Sequence, residues 1–226
     1  MRTDNRQAAG FGLTRPEPRI VAIVGGLILF LLLTVMVHAR WLAGVDHDAS
    51  AAKQALVSPL LDGWSATVSI LASAELSVLY GTIGALLLWR RGFRWWSLAP
   101  LTFLLGVPLE VLFKETVQQP LVPLEFVRPA HYPLVSISLN GSFPSGHAIR
   151  IGFFCVFLAI LLWERRGRVW RGAAVGAILL ALLFGFARVY GGQHWLSDVI
   201  AGLDLGAVLA LLVAPPVATR LRRTED

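Results

Sequence analysis

Six long apolar stretches set the limits on what this chain can fold into. A helix that crosses the hydrocarbon core of a bilayer needs about 20 mostly apolar residues. The stretches cover residues 20–37, 66–89, 96–113, 148–163, 173–189 and 199–217. We therefore predict an all-α fold, a polytopic membrane helical bundle with six transmembrane helices. The membrane domain is expected over residues 20–217, with an N-terminal tail at 1–19 and a C-terminal tail at 218–226.

The composition supports a membrane protein over a soluble one. Charged residues make up 15% of the chain, whereas a soluble domain carries about 25%. The net charge of +6 raises the question of nucleic acid, but the arginines cluster in the short gaps between apolar stretches. Such a distribution is typical of loops that face anionic lipid and the cytoplasm, so no nucleic-acid partner is predicted. The single cysteine, Cys155, lies in an apolar stretch and is expected to be a packed thiol.

The arginine pattern predicts the orientation of the bundle. Four segments hold fourteen of the twenty Lys and Arg residues, and with six spans all four fall on one side of the membrane. The positive-inside rule makes that side cytoplasmic, so both termini are expected there. The first apolar stretch is expected to stay as an uncleaved anchor. The fourteen residues are Arg2, Arg6, Arg15, Arg19, Arg90, Arg91, Arg94, Arg165, Arg166, Arg168, Arg171, Arg220, Arg222 and Arg223.

Three short polar motifs lie at the ends of the apolar stretches. The second of them along the chain, Pro-Ser-Gly-His at residues 144–147, precedes the fourth stretch. Ser145 is a good N-cap residue, and the backbone N–H groups of Gly146 and His147 would then be free to face an anion. The helix dipole favours a negative charge at the same place. The alternative is an ordinary capped helix with an interfacial histidine.

The third motif, Arg188-x5-His194-x3-Asp198, lies where the fifth stretch gives way to the sixth. His194 and Asp198 are four residues apart, so they share one face of a helix. A carboxylate there can accept a hydrogen bond from His Nδ1–H, which leaves Nε2 as a nucleophile. The alternative is a structural His–Asp pair that closes a loop.

Further ionisable residues lie at the ends of the spans. Lys114 ends the third stretch and Arg128 lies in the following loop; together they form the first motif, although either alone reads as a side chain snorkelling to headgroups. Glu110, one turn before Lys114, is expected to pair with it. Arg150, one turn after His147, is expected to snorkel towards the membrane surface; the alternative is a contact to a second phosphate or a polar headgroup. Asp46 is expected in a solvated loop.

Together the three motifs resemble the signature of the type 2 phosphatidic acid phosphatase superfamily of membrane lipid phosphatases. That signature reads Lys-x6-Arg-Pro, then Pro-Ser-Gly-His, then Ser-Arg-x5-His-x3-Asp. The second motif is intact, and the third has Ala187 in place of Ser. The first motif departs most, because thirteen residues separate Lys114 from Arg128. The resemblance extends from the third stretch to the sixth and agrees with a six-helix layout.

The resemblance implies a phosphatase mechanism without a metal or a cofactor. His194 would attack phosphorus to form a phosphohistidine, with Asp198 orienting it, and His147 would protonate the leaving oxygen. Water would then hydrolyse the intermediate. The phosphoryl oxygens would be held by Lys114, Arg128, Ser145, Gly146 and Arg188.

Several readings of the function stay open at this point. The expected partners are a lipid phosphate substrate and the bilayer, with the active site on the extracytoplasmic face of a bacterial inner (plasma) membrane. Polyprenyl diphosphate, phosphatidic acid and phosphatidylglycerophosphate all fit as substrates. A lipid phosphotransferase of the same fold is an alternative, and a non-catalytic membrane scaffold is a remote one. The vanadium haloperoxidases share the motif set but are soluble proteins.

Overall fold

The computed structural model describes residues 17–128 and 140–225, and over these residues it contains helices and no strand. Arg2, Arg6 and Arg15, used above for orientation, and Pro129 of the first motif lie outside the described residues. Short 3-10 segments occupy Lys53–Leu56, Arg94–Leu105 and Leu124–Phe126. The α-helices are α1 (Pro18–His38), α2 (Ala43–Ala52), α3 (Pro59–Leu71), α4 (Ala74–Arg90), α5 (Gly106–Thr116), α6 (Gly146–Trp163), α7 (Arg168–Tyr190) and α8 (Leu196–Glu225).

Five helical segments in the described part of the chain are long and apolar enough to cross a membrane, or six when α3 and α4 count as one span. These two helices meet at a 52° bend. Each helix has its own serine cap, since Ser58 accepts from Leu61 N–H and Ser73 accepts from Leu76 N–H. If the bent pair crosses the membrane as one unit, α3 forms the polar start of the second span. The five segments and this pair lie at the six predicted stretches, in the same order.

Proline and helix length account for two departures from the simple span pattern. The third span begins as the 3-10 segment Arg94–Leu105, which contains Pro100, and continues as α5. Proline lacks the backbone N–H that an α-helix needs, so the segment around Pro100 forms the tighter 3-10 helix in place of an α-helix. At the other end of the chain, α8 passes through Pro215 and Pro216 and continues to Glu225. Residues 218–225 of the predicted C-terminal tail are thus helical and continue α8.

Helices α6 and α8 form the centre of the bundle. Buried residues make up 44% of the apolar window of α6 and 56% of that of α8, against 11% for α1. The two central helices approach closely because α8 carries Gly202 and Gly206 on the face towards α6. A Cβ on Gly202 would lie 2.5 Å from the Ser145 carbonyl oxygen, and one on Gly206 would lie 2.6 Å from the Phe153 nitrogen. Small residues at a helix interface permit such contact between backbones.

Candidate active site

The N-terminal ends of α6 and α8 meet, and this meeting joins the second and third motifs. Ser145 N–H donates a hydrogen bond of 3.0 Å to the carbonyl oxygen of Asp198. The His147 side chain is within electrostatic range of His194 and of three cations, Lys114, Arg150 and Arg188. The structure therefore gathers both predicted histidines and three of the predicted basic residues at one end of the bundle.

The N-terminus of α6 has the capped form that the sequence predicts. Ser145 Oγ accepts a hydrogen bond from Ala148 N–H at 3.4 Å. Ser145 and Gly146 are both buried, so the first turn of the helix lies inside the bundle. The N–H groups of a helix's first turn have no partner within the helix, and the dipole adds positive potential. This end of α6 is suited to an anion.

His194 and Asp198 lie side by side as predicted, within ion-pair distance but without the predicted hydrogen bond. His194 Nδ1 lies 3.5 Å from Asp198 Oδ2, and the side chain of Asp198 is fully buried. Trp195 N–H donates to the same carboxylate oxygen at 2.9 Å, which fixes the carboxylate in the first turn of α8. Because Nδ1 faces the carboxylate, Nε2 is the nitrogen left for a substrate.

The surroundings of His194 keep its imidazole neutral. Burial lowers the pKa of His194 well below its ordinary value of 6.5, and the charges of Arg188 and Lys114 lower it further. The neutral ring has a lone pair on one nitrogen, and a nucleophile needs that lone pair. At neutral pH the group is therefore in the form that the predicted attack requires.

The bend between α3 and α4 supplies acceptors for two buried arginines. Arg188 Nη1 donates to Ser69 Oγ at 2.5 Å, and Arg150 Nε donates to the carbonyl oxygen of Ala72 at 3.1 Å. Ser69 lies in the last turns of α3, and Ala72 lies between the two helices. The α3–α4 segment carries none of the motifs, but it orients the guanidinium groups of Arg188 in α7 and Arg150 in α6.

Arg150 contacts the catalytic candidate His147 directly. Arg150 Nη2 lies 3.3 Å from His147 Nδ1. A guanidinium can only donate, so Nδ1 accepts and the proton of the neutral imidazole resides on Nε2. Arg150 therefore lies buried beside His147, so the expectation that it snorkels to the membrane surface is wrong. Its contact to a second phosphate stays a prediction.

Lys114 and Arg128 of the first motif have separate partners. Lys114 Nζ lies 2.9 Å from Glu110 Oε1, which is the predicted pair. Arg128 instead forms a two-point ion pair with Asp62, through Nε at 3.0 Å and Nη2 at 2.7 Å. The family spacing would place the arginine at position 121, which is the exposed Leu121. The assignment of Arg128 to phosphate binding stays a prediction.

Asp46 was expected in a solvated loop, and this expectation is wrong. Asp46 lies in α2 with 2% of its surface exposed. Its carboxylate accepts from Ser197 N–H at 2.8 Å, from Ser197 Oγ at 2.6 Å and from Gln119 Nε2 at 3.2 Å. Burial raises the pKa of Asp46, and the bonds from Ser197 oppose that rise. The carboxylate therefore ties the His194–Asp198 turn to the loop after Lys114.

We expect Asp46→Ala to lower both the melting temperature and the turnover of the protein. The substitution leaves the buried N–H and hydroxyl of Ser197 without their acceptor, which costs on the order of 2 kcal/mol. Thermal unfolding and phosphate release, measured on the same preparation, check this. Asp48→Ala is the matched control, because the Asp48 side chain is 88% exposed. Equal behaviour of the two variants would contradict a positioning role for Asp46.

Comparison with known proteins shows the family of the chain. Residues 95–222 match the profile of the PAP2 superfamily. Phosphatidylglycerophosphatase B of Bacillus subtilis is 30% identical over 82% of this chain and 90% of its own length. An undecaprenyl-diphosphatase of Sulfolobus acidocaldarius is 33% identical over 50% of each chain.

The fold agrees with a solved structure as well. The crystal structure of a transmembrane PAP2-type phosphatidylglycerolphosphate phosphatase from Bacillus subtilis superposes with a TM-score of 0.67 and 26% identity. The superposition covers 91% of this chain and 98% of the other. With its apolar helices, the chain is therefore a multi-pass membrane protein. From the profile match, the relatives and the superposition together, we conclude that the chain belongs to the PAP2 superfamily.

Proposed function

We propose that this protein is a membrane phosphatase that hydrolyses a lipid phosphate through a phosphohistidine intermediate. The observation that carries the proposal is the environment of His194, a buried neutral imidazole with Nδ1 facing Asp198 and with Arg188 and Lys114 within electrostatic range. The named relatives act on phosphatidylglycerophosphate and on undecaprenyl diphosphate. Both are lipids with a phosphate at the membrane surface, so a substrate of this class fits the site.

The proposed reaction has two displacements at phosphorus. In the first, His194 Nε2 forms a bond to phosphorus while the bond from phosphorus to the lipid oxygen breaks. The bound phosphate dianion favours the imidazolium form of His147, in which Nδ1 carries a proton and no longer accepts from Arg150. This imidazolium donates a proton to the departing oxygen, and Asp198 stabilises the positive charge that develops on His194. In the second, water attacks the phosphohistidine, His147 takes a proton from that water, and inorganic phosphate leaves with His194 restored.

The proposed phosphate contacts come from three directions. Lys114 approaches from α5 and Arg188 from α7, while Ser145 and Gly146 supply the start of α6. Several fixed positive groups around one phosphate stabilise the charge of its transition state. Arg128 adds a contact only after its ion pair with Asp62 opens.

We also propose how the bundle is oriented in the membrane. The four arginine-rich segments lie on the cytoplasmic side, which places both termini there and the three motifs on the extracytoplasmic face. The substrate would then reach the site from the outer leaflet of a bacterial inner (plasma) membrane. We propose that catalysis needs neither a metal nor a cofactor, because protein cations and two histidines supply each role.

Phosphate release from a panel of purified lipids tests the function. The panel contains phosphatidic acid, phosphatidylglycerophosphate and a polyprenyl diphosphate, each measured with and without EDTA. We expect free phosphate from at least one lipid at a rate that EDTA leaves unchanged. A phosphorylated alcohol in place of free phosphate would indicate the phosphotransferase, and loss of activity in EDTA would contradict metal-free chemistry.

Arg150 gives a prediction about the substrate. If its guanidinium meets a second phosphate, Arg150→Ala should lower kcat/KM for a diphosphate lipid about tenfold more than for a monophosphate lipid, since one charged hydrogen bond is lost. The contact with His147 is lost with both substrates, so a common loss is expected in addition. Equal losses on the two substrates would remove the second-phosphate contact and leave Arg150 as a positioning residue.

A further inference from the structure

We propose that Glu110 is a carboxylate that occupies part of the phosphate site while the site is empty, and that it weakens the binding of phosphate. The inference deepens the proposed function and rests on its placement of the phosphate. It concerns a residue outside the three motifs. Two anions, a carboxylate of the protein and a phosphate group, would compete for the same cations.

The contacts of Glu110 lie among the groups assigned to phosphate. Glu110 Oε1 is 2.9 Å from Lys114 Nζ, and Oε2 is 3.8 Å from Arg150 Nη1. All three side chains are at most 17% exposed. A carboxylate held between an ammonium and a guanidinium in such a sheltered place is bound more firmly than a surface ion pair.

The carboxylate also lies against the start of α6. A Cβ added to Gly146 would collide with both carboxylate oxygens of Glu110. Gly146 is the first residue of α6, where the unpartnered N–H groups and the helix dipole favour an anion. Glu110 therefore contacts a lysine, an arginine and a helix N-terminus, which are three kinds of group that bind phosphate.

Two anions do not share this space without cost. A phosphate that reaches Lys114 and Gly146 meets the Glu110 carboxylate at short range, where like charges repel strongly in a sheltered site. The phosphate must displace the carboxylate, so part of its binding free energy is lost in breaking the Lys114–Glu110 pair. A phosphatase gains from this arrangement, because the free energy lost in breaking the Lys114–Glu110 pair also weakens the binding of inorganic phosphate, its product.

A simpler role for Glu110 leads to the opposite result. If the carboxylate only holds Lys114 in place for the phosphate, removing its charge should weaken phosphate binding. If it competes with phosphate, removing its charge should strengthen binding. The sign of one measured change therefore separates the two roles.

The test is the dissociation constant of inorganic phosphate, measured by titration calorimetry on the full chain in detergent. We expect Glu110→Gln to lower this Kd about tenfold, equivalent to about 1.4 kcal/mol. Glu110→Asp keeps the charge on a shorter side chain, so it should lower the Kd less. Each variant is first checked for an unchanged elution volume and melting temperature, and Glu110→Asp carries the test if the glutamine variant does not fold.

Glu115→Gln is the matched control for the net charge. Glu115 is exposed on the same helix, and its carboxylate accepts from the amide of Asn140 at 3.0 Å. We expect its Kd to stay within about twofold of the wild type, as is usual for surface charges. An unchanged or larger Kd in both Glu110 variants would overturn the proposal, as would an equal tightening in Glu115→Gln.

The test of Glu110 and the test of the proposed function have different readouts, so either can fail without the other. Calorimetry reports phosphate binding whether or not the protein turns over a lipid, and the lipid panel reports turnover in the same wild-type preparation. Turnover with no gain in affinity in the Glu110 variants would contradict the role of Glu110 alone. Absence of phosphate release from every lipid would contradict the proposed function itself.

Discussion

His194→Ala is expected to lower phosphate release by at least about 10³-fold, because it removes the nucleophile of a two-step reaction. His147→Ala should cost about 10²- to 10⁴-fold, the usual contribution of a general acid. Both variants should still insert, since neither substitution changes the apolar character of the candidate spans. Phosphate release in detergent or vesicles is the measurement.

Two comparisons make this result specific. His47→Ala removes an exposed imidazole outside the site, whose ring is 5.6 Å from that of Phe126, and should keep full activity. The double variant lacking both His194 and His147 should be about as slow as His194→Ala alone, because groups that act in one step are not additive. Wild-type turnover in His194→Ala would remove the proposed nucleophile.

The second large effect is expected at the contact between α6 and α8. Gly206→Ala places a methyl group against the Ile149 carbonyl oxygen and 2.6 Å from the Phe153 nitrogen. Both are backbone atoms, so no side chain can rotate away and the two helices must separate. We expect a loss of about 3 kcal/mol in stability, at the upper end for overpacking. Thermal unfolding in detergent and phosphate release are the measurements.

Activity should fall along with stability in Gly206→Ala, because the same helix pair holds the Ser145–Asp198 hydrogen bond between the second and third motifs. Gly176→Ala is the matched control on α7, where an added Cβ meets no atom within 4 Å. It should unfold and turn over like the wild type. A Gly206 variant that matches this control would contradict the close packing of the central helices.

Several features of this protein were predictable because they depend on local spacing. The six apolar stretches predicted the spans, since length and hydropathy suffice to identify a membrane helix. The four-residue spacing of His194 and Asp198 predicted their pairing, as did that of Glu110 and Lys114. Ser145 was predictable as a cap because its side chain and the next N–H groups are neighbours in sequence.

Other features depend on contacts between distant segments, and the sequence carries no local sign of them. Asp46 and Ser197 are 151 residues apart, so nothing near Asp46 indicated a buried carboxylate. The ion pair of Arg128 with Asp62 joins a loop to the second span across 66 residues. Arg128 was grouped with the phosphate-binding residues from its neighbouring proline, and that pattern does not reveal a competing partner.

The bend between α3 and α4 illustrates the same limit. Ser58 and Ser73 cap two separate helices, whereas hydropathy alone placed residues 66–89 in one uninterrupted stretch. The role of the bend appears only when Arg188 and Arg150 are seen to donate to Ser69 and Ala72. A buried guanidinium needs acceptors, and the chain supplies them from a helix end that has no motif of its own.

The most direct test of a phosphohistidine on His194 is the stereochemical course of hydrolysis at phosphorus. The substrate is a phosphomonoester lipid whose phosphate is chiral through three oxygen isotopes, with the product phosphate trapped and its configuration determined. Two in-line displacements, first by His194 and then by water, each invert the configuration, so overall retention is expected. Overall inversion would show that water attacks the lipid phosphate directly, and it would contradict the role given to His194.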